Sequence, residues 1–181
     1  MPVYSPTLQA THRVAGLLAA SWGIGGVVLV LVDAATRLSK YMFEALNYEW
    51  SMLHWALFLA NTAFMAYSEG YRGFQKSFAP RTVERALSLR SGVGWVNGLL
   101  APFYCVGYFG AGKRTAKVVW IGTALIVGAV VLIRQVPQPW RGIIDAGVVI
   151  GLSWGIVSMC LITVAAIISG RSPTPVPAQS E

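Results

Sequence analysis

The sequence predicts an all-α, polytopic membrane bundle of five apolar segments joined by short polar connections. Three observations predict it. Only 12% of the 181 residues are charged and 55% are hydrophobic, with a mean hydropathy of +0.59; a soluble domain carries about 25% charged residues. Several uncharged runs are long enough to cross a hydrocarbon core of about 30 Å. The basic residues, which give a net charge of +7, cluster at the ends of those runs. Lys and Arg in that position are retained on the cytoplasmic side of a membrane. The surplus charge therefore points to the bilayer and its anionic headgroups as partner, not to nucleic acid.

Residues 1–13 form a short polar N-terminus. Residues 14–32 carry no charge and outrun the 7–15 apolar residues typical of a signal peptide, roughly speaking. They are read as a retained first span with the N-terminus in the cytoplasm. Gly16, Ala20, Gly23 and Gly26 recur along it at helical spacing, so another helix can approach closely. In the connection that follows, Lys40, Glu44, Asn47 and Ser51 recur at steps of four, three and four. That period predicts a short amphipathic helix over 38–50, lying on the outer membrane surface with its aromatic residues at headgroup level.

The second span is expected over 52–68. It passes directly into a basic cytosolic loop, 69–91, where Arg72, Lys76, Arg81, Arg85 and Arg90 face only Glu69 and Glu84. These five cations are candidate contacts to anionic lipid or an acidic partner. Pro80 suits the first turn of a small helix over 81–89, with Val83 and Leu87 on its apolar side and Arg81 and Arg85 on its wet side.

Residues 92–112 are apolar but interrupted by Asn97 and Pro102. As a helix they rise about 31 Å, enough to span. Five spans put Lys and Arg eight inside and six outside; a third segment that dips in and returns gives ten and four. Length and the cost of non-helical backbone at membrane depth favour five spans; the charge split favours the re-entrant alternative. The fourth and fifth spans are expected over 118–133 and 143–169, after the basic knot KRTAK and the Pro-containing turn 134–142. The tail, 171–181, is Pro-rich and expected to be disordered. Spans, connections and basic loop together make one transmembrane domain, 14–170.

Candidate functional residues fall into three sets. His54, Asn61 and Glu69 lie near one helical stripe of the second span, with Arg72 placed to pair with Glu69. With Asn97 they make a candidate polar path, because ionisable groups inside a membrane are functional by default. Gly147, Gly151 and Gly155 recur every fourth residue, and Gly94 and Gly98 repeat the spacing; both sets are small-residue faces for tight helix packing. The third set is the basic loop. Cys105 and Cys160 fall in apolar runs and read as buried free thiols.

No catalytic, metal or cofactor site is expected. Asp33 and Asp145 are the only aspartates, far apart, and no His-rich box or ligand cluster is present. His12 and His54 fall at opposite membrane faces and cannot share a haem. The string GYFGAGK at 107–113 lacks the strand and the Ser or Thr of a phosphate loop. GLSWG at 151–155 sits within an apolar helix, not at a strand-to-helix elbow. The expected function is a structural or partner-docking subunit of a bacterial-type inner membrane, packing through glycine faces into a homo-oligomer or onto another membrane protein. The alternative is a homo-oligomeric carrier or channel using Asn61, Glu69 and Asn97; a second alternative is a membrane enzyme or cofactor binder.

Overall fold

The computed structural model describes residues 6–91, 98–170 and 173, the side chains of 6–13 and 91 excepted. Helix α1 (Pro6–Ala45) runs forty residues without a break. The separate surface helix expected over 38–50 is therefore its continuation. Residues 33–45 contain neither Gly nor Pro to end it, and an exposed Arg37–Asp33 pair at 2.8 Å bridges successive turns. The chain turns only after Ala45, whose carbonyl accepts the Trp50 indole N–H at 2.7 Å.

Helix α2 (Met52–Met65) continues directly into a π-helical segment (Ala66–Phe78), then helix α3 (Ala79–Ser88) and a 3-10 turn (Leu89–Ser91). The basic stretch is thus helical throughout: the small helix expected over 81–89 lies within α3 and the 3-10 turn, and the residues before it are π-helical. π geometry usually appears as single turns at functional positions; here it lasts thirteen residues. It is stitched by i,i+4 ring pairs, Tyr67 on Tyr71 at 6.0 Å and Phe74 on Phe78 at 5.4 Å, and by the Lys76 ammonium 4.6 Å from the Tyr71 ring centroid. Helix α3 buries Val83 and Ala86.

An unbroken helix over 92–112 does not form among the described residues. The chain turns at Leu100, makes the six-residue helix α4 (Ala101–Val106), and stops at Gly107, whose φ of 106° only glycine adopts readily. Pro102 opens this helix instead of interrupting one. The Arg85 guanidinium closes its end, donating to the carbonyls of Tyr104 at 2.7 Å and Phe109 at 2.9 Å. Arg85 thereby holds residues 104–109 beside α3.

Helix α5 (Lys113–Ile133) follows, then α6 (Trp140–Ser169). Helix α6 lies antiparallel to α1: Gly142 abuts Ala45, and Met159 shares the core with Val27. It lies parallel to α2, with Asn61 beside Gly147 and Phe74 beside Gly155. The core gathers Val27, Ala86, Leu89, Ala101, Cys105 and Met159 where α1, α3, α4 and α6 meet. Cys105 is buried as expected; Cys160 is exposed on the outer face of α6, contrary to expectation.

Among the described residues, three helices are long and apolar enough to cross a membrane: Val14–Ala45, Lys113–Ile133 and Trp140–Ser169. The other two expected spans take other forms, a fourteen-residue α-helix that widens into a π segment and a broken apolar stretch.

Candidate functional site

The stripe Gly147, Gly151, Gly155 finds its partner inside the chain. A Cβ on Gly147 would collide with the Asn61 amide and lie 2.8 Å from Met65 Cγ. One on Gly151 would lie 3.1 Å from Glu69 Cβ, and one on Gly155 only 2.6 Å from the Phe74 ring. The contact is reciprocal: Gly70 of the π segment receives Trp154, 2.9 Å from where its own Cβ would stand. The small residues of α1 behave likewise. A Cβ at Gly16 would meet the Leu89 and Arg90 carbonyls at 2.9 Å, at Gly23 the Cys105 sulfur at 2.6 Å, and at Gly26 the Pro102 ring. Gly98 faces Ala19 at an ordinary 3.8 Å. Gly94 and Asn97 lie outside the described residues.

Asn61 anchors the seam. Its Nδ2 donates to the Ile143 carbonyl at 2.8 Å and approaches that of Ile144 at 3.5 Å. Interhelical side-chain bonds of this kind contribute about 0.6–2 kcal/mol in membranes. Asn61→Ala is expected to lower the stability of detergent-solubilised protein by about 1 kcal/mol, read as the midpoint of a denaturant titration; an unchanged midpoint would show that the bond contributes nothing.

The other members of the expected polar path are occupied elsewhere. His54 Nδ1 accepts the Ser51 backbone N–H at 3.1 Å and stands 3.0 Å from Ser51 Oγ, so the ring closes a capping box at the start of α2. Its other face meets Trp140, centroids 4.5 Å apart. Glu69 and Arg72 are both exposed, and neither joins the ion pairs of the described residues, Arg37–Asp33 and Arg141–Asp145. The expected Glu69–Arg72 pair fails because the wider π turn brings together positions four and five apart, not three. Between Asn61 and Glu69 the seam is filled by Met65 against Gly147 and by Glu69 Cβ against Gly151.

Five basic residues were expected to face lipid or a partner. Arg72 and Lys76 are exposed. Arg81 folds back on its own turn, donating to the Ser77 carbonyl and Oγ, each at 2.8 Å. Arg90 remains exposed. Arg85 departs from the expectation, turned inward onto the end of α4 with its guanidinium 4.5 Å from the Tyr104 ring centroid.

A second polar cluster, at the opposite end of the bundle, is not legible as a site from residue types alone. Asp145 is 2% exposed, and Arg141 one turn earlier places Nε 3.6 Å from its Oδ2. Neither atom has a hydrogen-bond partner. The Arg141 guanidinium lies over the Tyr41 ring, 3.4 Å from its centroid. Gln138 completes the cluster, donating to the Tyr41 carbonyl and accepting the Gly142 N–H, both at 3.1 Å. The cluster ties the start of α6 to the end of α1. The signal available in sequence was the i,i+4 spacing of Arg141 and Asp145 around Gly142, a glycine that sits against Ala45 and the Tyr41 carbonyl.

Helix α5 stands apart from both clusters. None of its residues is buried. It is held near its base: Gly107 packs toward Thr115 and Val119, the Tyr108 hydroxyl meets Thr123 Oγ1 at 2.6 Å, and the Tyr108 and Trp120 rings meet edge-on at 5.1 Å. A Cβ on Gly122 or Gly128 would meet nothing within 4 Å.

No protein-family model matches the chain, and neither the curated proteins nor the solved structures include one significantly similar to it.

Proposed function

We propose that this protein is a structural, partner-docking subunit of a bacterial-type inner membrane, with α5 as its docking helix and the exposed basic residues after α2 at the cytoplasmic surface. One observation carries the reading. Gly16, Gly23 and Gly26 of α1 and the glycines of α6 are taken up by contacts within the chain, whereas both glycines of the uncovered α5, Gly122 and Gly128, face open space, as Gly25 alone does on α1. A glycine costs a helix about 1 kcal/mol relative to alanine. None of the described residues offsets that cost on α5, and close approach of a second helix is what small residues in a membrane helix provide. The partner is another membrane protein or a second copy.

The same reading takes four crossings with a re-entrant third segment, and both chain ends in the cytoplasm. Two contacts support it: Gly16 near the start of α1 lies against Leu89 and Arg90, and Arg85 holds the far end of 92–109 beside α3. Arg13, the five cations from Arg72 to Arg90, Lys113, Arg114, Lys117 and Arg171 then share one side, ten of the fourteen Lys and Arg.

Native mass spectrometry of protein extracted from its own membrane tests the docking. A stoichiometric assembly is expected, dispersed by Gly128→Leu while the chain stays folded. Assembly untouched by that substitution removes α5 as the docking helix; a chain that extracts alone removes the reading. Labelling of single cysteines tests the topology: reagents that cannot cross the membrane should reach positions 40 and 135 from one side only, and positions 76 and 113 only after the membrane is opened.

The buried Arg141–Asp145 pair favours a second reading, a carrier that uses this pair in place of Glu69, because ionisable groups inside a membrane mark substrate and proton paths.

A further inference from the structure

We infer that a groove between the π segment and α6 is a binding site for one anionic diacyl phospholipid; the inference rests on the reading that the chain spans a bilayer. The groove has a volume of about 670 Å³ and is open to the surface. Its floor and one wall come from α6, where Ile150, Trp154, Val157, Leu161 and Ile162 recur along one face. At about 1.5 Å per residue this apolar strip runs roughly 18 Å, and Lys76 stands abreast its middle, because its neighbours Gln75 and Phe74 meet Trp154 and Gly155. The opposite rim is Gln75 and Lys76. Trp154 is held upright as a wall by its indole N–H, which donates to Gln75 Oε1 at 2.8 Å.

Charge decides the occupant. Lys76 is the only charged residue lining the groove, and no carboxylate pairs with it among the described residues. Its ammonium stands over the Tyr71 ring, which leaves donors free on the side away from the ring. One cation beside an apolar strip suits an acyl chain along α6 with a headgroup phosphate at Lys76. A zwitterionic headgroup would bring its own cation to the same place and lose that advantage.

The test is native mass spectrometry of purified full-length protein with defined lipids, phosphatidylglycerol against phosphatidylcholine of identical acyl chains. Wild type is expected to retain one phosphatidylglycerol at collision energies that strip phosphatidylcholine. Lys76→Gln should cut that retention about fivefold. Val157→Trp, at a position 57% exposed and so free to accept a larger ring, should remove the bound lipid by filling the groove. Arg81→Gln is the control, because Arg81 is bonded to Ser77 and does not line the groove; it should retain lipid as wild type does. Equal retention of the two lipids, or wild-type retention in either groove variant, overturns the site. An alkaline wash of the membranes separates the two failures: protein released into the supernatant overturns the membrane reading itself, whereas protein that stays in the pellet but fails the lipid test overturns only the groove.

Discussion

Gly147→Leu is expected to lower the stability of the detergent-solubilised protein by about 2–3 kcal/mol, a drop of roughly 5–10 °C in the thermal midpoint. The cost has two sources at one point. A side chain at 147 strikes the Asn61 amide and Met65, and it displaces the hydrogen bond from Asn61 to the Ile143 carbonyl. Neither neighbour has an easy escape, because Asn61 is fixed by that bond and α2 is already in backbone-level contact with α6. Gly128→Leu is the matched comparison: the same change in a helix of similar hydropathy, where the new side chain meets nothing. It should leave stability unchanged or raise it by up to about 1 kcal/mol, because leucine removes the helix cost of glycine and the new side chain strikes nothing. A similar drop at 147 and 128 would mean that the loss does not report the seam.

Asp145→Leu should be more damaging still, at about 3–5 kcal/mol, because it strands the Arg141 guanidinium beside Tyr41 without its carboxylate. The double replacement Arg141→Leu with Asp145→Leu should recover most of that loss. A buried pair removed whole takes its own desolvation penalty with it, and an apolar pair of similar volume packs in its place. A denaturant titration of the wild type, the two single variants and the double variant closes the cycle; additive losses would show that the two charges do not interact. The same pair separates the two functional readings. If it serves a carrier, Asp145→Asn abolishes proton or solute flux in proteoliposomes while leaving assembly intact. If it ties α6 to α1, the variant lowers stability and there is no flux to lose.

The length of the π segment bears on both experiments. The seam depends on Gly70 meeting Trp154 and Phe74 meeting Gly155, and the π segment supplies both Gly70 and Phe74. The wider turn also sets which cations reach the surface. Lys76 stands over Tyr71, five positions back, and Arg72 loses the neighbour that an α-helix would have given it in Glu69.

Hydropathy and periodicity determined the helical class by themselves, because both are local properties of a few turns. Long uncharged runs predict apolar helices, and three of the five expected segments lie within helices able to cross a membrane. The glycine repeats were equally legible as faces for close contact, since spacing fixes which residues share a side. Spacing carries no information about the other surface. Only the tertiary structure decided that Gly147, Gly151 and Gly155 receive α2 and the π segment, that Gly16, Gly23 and Gly26 receive Leu89, Arg90, Pro102 and Cys105, and that Gly122 and Gly128 receive nothing from the described residues. Length could not reveal that 92–112 breaks, because apolar content measures affinity for lipid and not the path taken through it. The break is made by Gly107 and by Arg85, a long side chain that reaches carbonyls nineteen and twenty-four residues away. Asp145 shows the same division: its type and its place near a helix start were visible in the chain, but its burial against Arg141 and Tyr41 follows from how α6 meets α1, which no local pattern encodes.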